Sequence, residues 1–176
     1  DICANFQITT DLDIINARFD NICYRPGNPE DAIDICSKMC IEAVNSNVIT
    51  FSDSKVSLIY LQDAIEALYQ LSIVSEHESS SYRIDSGDFL DMEAMAEIIR
   101  EKIGGDIQFN CVEKTEYIWV ENNSVTDYDK EFPFRVFQTS EQCTVRIADY
   151  ISRHASRFKD KEEIIEFMNS TTFSEF

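Results

Sequence analysis

The two histidines and the paired carboxylates are the residues whose types could support acid–base or nucleophilic catalysis. His77 lies in a loop rich in serine and glutamate, and His154 lies on the polar face of an expected helix. Neither position suits the ordered imidazole that a Ser–His–Asp triad requires. Acidic pairs such as Asp127 and Asp129 are typical of a solvated surface, because a calcium loop needs further ligands at fixed spacing. These residues alone predict no catalytic site.

The six cysteines do not form a recognisable metal or redox motif. No pair has C-x-x-C spacing, and neither histidine lies at ligand spacing from a cysteine. Cys36 and Cys40 are one helical turn apart, so they are either two ligands of a metal ion or two small hydrophobic residues on a core-facing stripe. Their apolar neighbours favour the second interpretation. We find no signal peptide and no apolar run of about 18 residues, so we expect a cytoplasmic protein without a membrane partner.

Composition excludes two classes of binding site. The chain has no glycine-lined phosphate cradle, because its four glycines cannot form a GxGxxG or GxxxxGK[ST] loop. Lys and Arg total 15 against 33 Asp and Glu, which gives a net charge of −18. This balance argues against nucleic-acid partners and anionic membranes, since both are bound by clustered cations.

The order of apolar and polar runs predicts alternating strands and helices, which is an α/β arrangement. The expected strands lie at residues 13–19, 48–51, 57–61, 82–85 and 107–112. The expected helices lie at residues 31–45, from 63 onward, at 91–103 and at 143–158. Asp31 and Asp63 are expected to cap the first two helices. We also expect the end of a helix over residues 1–9, irregular chain over 114–131 and a last helix over 162–168.

Four segments of the sequence follow one another in an order that matches a known family. The segments are Ala17–Ile22 before a Pro-Gly loop, Ser57–Ala67, Tyr82–Gly87, and Thr139-Ser140 at the start of a helix. They resemble, in turn, the passages R-x-x-N-x-Y-G-P-G, x-F-I-Y-V-x-D-V-A-x-A, Y-N-I-G-S-G and T-S-L-x-E-G. These passages occur in nucleotide-sugar epimerases and dehydratases of the extended short-chain dehydrogenase/reductase family. The resemblance covers nearly the whole chain.

The resemblance implies both a fold and a division of the chain. The chain resembles the C-terminal, substrate-binding part of an extended Rossmann-type epimerase or dehydratase, with a small mixed sheet and flanking helices. Residues 1–28 would be the end of the Rossmann core, and residues 29–176 the substrate-binding subdomain. The family's glycine-rich loop and its catalytic Tyr-x-x-x-Lys precede this part. NAD or NADP is therefore expected in the full-length protein, which resembles homodimeric enzymes, and no cofactor is expected for this chain alone.

The resemblance also suggests residues that bind the nucleotide-sugar substrate. Asn21 matches an asparagine near the sugar-nucleotide, and Tyr60 matches the tyrosine of the I-Y-V run. Lys55, Arg25 and Arg146 come from the three segments that line the family's pocket. We therefore expect these three cations to converge on one concave surface and share a diphosphate. No catalytic residue and no metal ligand is expected in this chain.

Two departures from the family pattern leave two functional interpretations. Cys23 and Tyr24 stand where the family has its tyrosine and glycine, and Val56 replaces an arginine that grips the diphosphate. In the first interpretation, the chain is a substrate-binding fragment of an NAD(P)-dependent enzyme and is inactive alone. In the second, it is a degenerate, non-catalytic relative that acts as a binding or assembly module, and the departures favour that alternative.

The first strand carries an expectation of its own. Ile14, Ile15 and Ala17 form an apolar run typical of a central strand, which has parallel neighbours on both sides. One of these neighbours would belong to the Rossmann half. We therefore expect the isolated chain to self-associate or to lose order over residues 1–20.

Overall fold

The computed structural model describes residues 14–113, 126–133 and 137–159. The strands are β1 (Asn16–Phe19), β2 (Asn21–Cys23), β3 (Val48–Ser52), β4 (Lys55–Val56), β5 (Leu58–Tyr60), β6 (Ser81–Ile84), β7 (Leu90–Asp91), β8 (Gln108–Val112) and β9 (Thr126–Asp127). The helices are α1 (Ile35–Ser46), α2 (Leu61–Ile73), α3 (Met92–Ile103), α4 (Tyr128–Glu131), α5 (Ser140–Arg153) and α6 (Ala155–Phe158). The helices expected at 1–9 and 162–168 lie outside the described residues.

The strands pair mainly in parallel. β1, β6 and β9 form a three-stranded sheet in that order, and β2 pairs with β5 and β3 with β8, also in parallel. β4 and β7 form an antiparallel pair. The predicted fold class, α/β with a small mixed sheet and flanking helices, is confirmed. No helix in the described part of the chain has the length and apolar character needed to cross a membrane.

The larger hydrophobic core, which we call the helical core, lies among α1, α3 and α5 and against β3. Its fully buried side chains include Met39, Met95, Ile99, Ile147 and Ile151. Each helix contributes one apolar stripe at helical spacing, so the three stripes close on one another. Cys36 and Cys40 are also fully buried here, which agrees with the interpretation that they are core residues.

The smaller core, which we call the sheet core, lies between α2 and the sheet of β1, β6 and β9. It is built around Ile59, Leu71, Tyr82, Ile84 and Tyr128, with side chains of β1 and β2 packed against it. The sheet core thus draws on chain segments from both sides of residue 28, and the division at that residue stays a prediction. Among the described strands, β1 pairs with β6 alone.

The start of α1 differs from the prediction. Asp34, not Asp31, caps this helix, because its carboxylate accepts a hydrogen bond from the Ser37 N–H at 2.9 Å. Asp31 ends a short 3-10 helix that begins at Pro29 and accepts a bond from the Asn28 N–H at 3.0 Å. This extra turn lets the chain bury Ala32 before the α-helix begins, and the sequence pattern did not reveal it.

Other element boundaries also differ. α2 begins two residues before Asp63, and α5 begins three residues before the expected Cys143. The early start of α5 follows from a capping box, in which Thr139 and Gln142 bond each other's backbone N–H groups. The segment expected to be irregular contains β9 and α4, because burying Tyr128 stabilises this turn against the sheet core.

Candidate functional site

Tyr60 and Arg146, two of the predicted binding residues, are in direct contact. Tyr60 is the last residue of β5, and Arg146 lies in the middle of α5. The central guanidinium carbon of Arg146 is 4.7 Å from the centre of the Tyr60 ring, and both side chains are half-buried. Stacking on an aromatic face holds the planar cation in place while its N–H groups stay available at the edge.

Gln138 holds the same guanidinium from another side. The Nη1 of Arg146 donates to Oε1 of Gln138 at 2.6 Å. The Nε2 and the backbone N of Gln138 both donate to Oδ2 of Asp63 at 3.1 Å. The amide orientation is unambiguous, because Arg can only donate and an ionised carboxylate can only accept. Asp63 was expected to cap α2, and that expectation was wrong because its carboxylate instead anchors the segment before α5.

Arg25 lies against the next turn of the same helix. Its guanidinium carbon is 5.5 Å from the ring centre of Tyr150, which follows Arg146 by four residues on α5. Side chains four residues apart lie on one helix face, so both arginines flank this face. Neither guanidinium has a carboxylate partner in residues 14–113, 126–133 or 137–159.

A pocket of about 450 Å³ runs along this face of α5. It is lined by Gln138, Glu141, Gln142, Val145, Arg146 and Asp149. The Asp149 carboxylate is engaged by Arg153, whose Nε donates to Oδ1 at 3.1 Å. The pocket therefore combines the Arg146 guanidinium, which has no ion-pair partner among the described residues, with the side-chain amide of Gln142 and the exposed carboxylate of Glu141. Of these groups, the guanidinium is the one that suits a ligand with acceptor oxygens.

The structure places the two remaining predicted residues in other contacts. The Nδ2 of Asn21 donates to the Ser57 carbonyl at 3.2 Å. The Nζ of Lys55 lies 3.5 Å from Oδ1 of Asp91, and both side chains are more than half exposed. The structure thus brings Tyr60 and Arg146 together, with Arg25 one helical turn away. Convergence of all three cations stays a prediction.

Comparisons with known proteins match solved structures but no sequence family. No family model and no curated protein matches the chain. A UDP-galactose 4-epimerase structure has a TM-score of 0.64 at 17% identity, covering 87% of this chain and 50% of that one. The dTDP-glucose 4,6-dehydratase of Bacillus anthracis has a TM-score of 0.65 at 14% identity, covering 88% and 50%. The UDP-glucuronic acid 4-epimerase of Bacillus cereus has a TM-score of 0.65 at 10% identity, covering 88% and 49%.

This chain has the epimerase/dehydratase fold. It spans about half the length of the structures that it matches, which is consistent with the C-terminal portion. The resemblance seen in the sequence is therefore confirmed at the level of fold. Two of the matched structures, the dTDP-glucose dehydratase and the UDP-glucuronic acid epimerase, were solved in complex with NAD.

A serine network, which sequence reasoning missed, fixes α5 within this epimerase/dehydratase fold. The N–H of Ser140 donates to both carboxylate oxygens of Asp88 at 3.0 Å, and its hydroxyl donates to Oδ1 at 3.1 Å. That hydroxyl also accepts from the Leu58 N–H at 2.9 Å. Ser86 links it to Ser57 through hydroxyl contacts of 3.3 and 3.1 Å. The network therefore ties the helix that carries Arg146 to the start of β5, the strand that carries Tyr60.

The carboxyl ends of β1 and β6 carry a pair of carboxylates near this network. Burial raises the pKa of Asp20, the nearby Asp85 charge adds to the increase, and a hydrogen bond from Ser57 opposes it.

The buried thiol of Cys36 has its pKa raised by a hydrogen bond with the Cys40 side chain and by burial. Cys36 and Cys40 are both fully buried in the helical core, which favours the core interpretation over a metal site.

Proposed function

We propose that this chain is the substrate-binding portion of an NAD(P)-dependent nucleotide-sugar epimerase or dehydratase. In this proposal, Arg146 and Arg25 bind the diphosphate of the nucleotide-sugar. The observation that carries it is the arrangement along α5, where each guanidinium lies over a tyrosine ring and lacks a carboxylate partner among the described residues. The chain has a net charge of −18, so an anionic ligand needs local cations of this kind.

The chemistry of arginine supports a phosphate-bearing ligand. A guanidinium presents fixed N–H donors that match phosphate oxygens in pairs, whereas an ammonium acts as a point charge. Arg146 is half-buried, and the loss of hydration that comes with burial is best offset by an anion in direct contact. We propose that Lys55 and Asn21 act at the edge of this site, near the more distant parts of the substrate.

The four glycines of this chain do not form the phosphate-binding loop that a dinucleotide cofactor requires. Gly104 and Gly105 have φ values of 76° and 92° and end α3, so they lie at a helix C-terminus rather than at the N-terminus where a pyrophosphate binds. Gly27 lies in the loop before Pro29, and Gly87 is alone in its turn. We therefore propose that NAD or NADP is held by another part of the full-length protein, a cytoplasmic homodimer, and that this chain does not bind it alone.

A non-catalytic binding or assembly module is the second candidate. The observation that favours it is the contact between Lys55 and Asp91. Val56 replaces the family's diphosphate-gripping arginine, and Lys55, the cation beside it, is engaged by a carboxylate of this chain. A degenerate relative would retain the fold and the α5 face without completing the reaction.

Calorimetric titration of the complete protein with uridine diphosphate tests the proposal. Arg146→Ala should weaken binding by about 1–3 kcal/mol, as expected when a charged hydrogen-bonding partner is lost. Lys102→Ala is the matched control, because Lys102 is an exposed cation at the end of α3 and should leave affinity unchanged. Binding together with NAD-dependent turnover of a nucleotide-sugar supports the enzyme, and binding without turnover supports the module. If wild type and Arg146→Ala bind uridine diphosphate with equal affinity, the proposed binding site is contradicted for the enzyme and for the binding module alike.

A further inference from the structure

Gln138 occupies an unusual place between a carboxylate and a guanidinium. Its amide accepts from Arg146 at 2.6 Å and donates to Asp63 at 3.1 Å, so the three side chains form a continuous chain of hydrogen bonds. The backbone N of Gln138 donates to the same carboxylate oxygen. Two bonds to Asp63 thus fix the residue that in turn fixes Arg146.

Several other cations in the described part of the chain are held by carboxylates directly. The Nη2 of Arg83 lies 2.8 Å from Oδ1 of Asp127, and Nζ of Lys130 lies 3.0 Å from the other oxygen of that carboxylate. Direct pairing of this kind orients a cation but also offsets its charge. A neutral amide in the same position transmits orientation through hydrogen bonds and leaves the net charge of the guanidinium unopposed.

We propose that Gln138 is a positioning residue that orients Arg146 toward a phosphate group while separating its charge from the Asp63 carboxylate. The inference rests on the proposed function, because it assumes that Arg146 meets an anionic ligand. It adds the reason for a glutamine at this position: alanine would release the guanidinium, and glutamate would neutralise it. The segment 137–139 before α5 therefore sets the charge of the site as well as its geometry.

Three variants separate the effect of orientation from the effect of charge. Gln138→Glu places a carboxylate against Arg146, so we expect affinity for uridine diphosphate and for inorganic pyrophosphate to fall at least tenfold. The double variant Asp63→Asn with Gln138→Glu removes the repulsion between the two carboxylates, and the loss should persist. Gln138→Met keeps the length of the side chain but removes its hydrogen bonds, and we expect a threefold to tenfold loss. The melting temperature is measured for each variant, and a folded protein with weakened binding is the expected result.

A double-mutant cycle excludes a merely structural role for Gln138. If this residue acts through Arg146, Gln138→Met should have no effect on affinity in the Arg146→Ala background. An equal loss in both backgrounds would overturn the inference, as would wild-type affinity in Gln138→Glu. If the wild-type protein binds neither uridine diphosphate nor pyrophosphate, the proposed function fails and the inference fails with it. If wild type binds and the Gln138 variants match it, the inference alone fails.

Discussion

The helical core and the sheet core differ in how completely this chain covers them. Around the helical core, α1, α3 and α5 each turn their apolar stripe inward. The helix over the sheet core, α2, buries Ala64, Ala67 and Leu71 but also carries a row of exposed large apolar residues. These are Leu61, Ile65, Leu68, Tyr69 and Ile73, between 40% and 56% exposed. Within the described residues the helical core is closed, whereas in the sheet core β1 has a strand partner on one side only and one face of α2 is exposed.

This difference in packing indicates which region of the chain should be more stable against unfolding. Burial of apolar area is the main favourable contribution to folding, so the region with closed packing should unfold last. The candidate site lies on the outer face of α5, which is a helical-core element, and draws Tyr60 and Asp63 from the boundary with the sheet core. The candidate site therefore lies on the region that we expect to be the more stable of the two.

The largest expected effect is a cavity in the helical core. Met95→Ala removes a fully buried side chain, and we expect a loss of about 2–5 kcal/mol in the free energy of unfolding. Ile65→Ala on α2 is the control, because Ile65 is 56% exposed and its truncation should cost less than about 0.5 kcal/mol. Urea unfolding of both variants checks the comparison. Similar losses would mean that the two regions are equally closed in solution.

The sequence predicted elements where one periodic signal was sufficient. α3 was expected at 91–103 and is observed at 92–103. The prediction succeeded because the apolar stripe and the glycines that follow it indicate the same helix and the same end. Asp31 was expected to cap α1, and the sequence pattern did not reveal that a short 3-10 helix would separate it from the cap at Asp34. Tyr60 was selected through the resemblance to a family motif, and its role in binding stays a prediction. Gln138 was missed because its partner Asp63 is 75 residues away, and no local pattern encodes that contact.

The serine network gives the next largest effect. Asp88→Ala removes the acceptor of the Ser140 N–H and hydroxyl at the start of α5. We expect a loss of about 1–3 kcal/mol, since buried donors are left without a partner. Asp53→Ala is the control, because this exposed carboxylate in the turn after β3 should contribute almost nothing. Since α5 carries Arg146, the Asp88 variant should also bind uridine diphosphate more weakly, whereas unchanged affinity would separate the network from the site.

Two aspartates should give opposite pH responses in the two regions. Burial raises the pKa of Asp34 in the helical core, so its ionisation destabilises the fold as pH rises above about 4, its usual pKa range. The Lys130 hydrogen bond lowers the pKa of Asp127 beside the sheet core, so its contribution to stability is present above that range and is lost as pH falls. Asp34→Asn should therefore raise stability at neutral pH, and Asp127→Asn should lower it slightly. Chemical denaturation between pH 3 and 7 measures the free energy of unfolding of both variants. If both substitutions changed it in the same direction at neutral pH, the opposite pKa shifts of Asp34 and Asp127 would be contradicted.

The smallest expected effect concerns Lys55, the predicted binding residue that contacts Asp91. Its ammonium is exposed and paired with Asp91, and exposed pairs contribute little, so Lys55→Ala should change the free energy of unfolding by less than about 0.5 kcal/mol. Affinity for uridine diphosphate should fall by less than in Arg146→Ala, because lysine lacks the paired donors of arginine. Asp91→Asn sharpens the test by releasing the ammonium. Tighter binding in that variant would place Lys55 at the diphosphate, and unchanged binding in both variants would confine the anion site to Arg25 and Arg146.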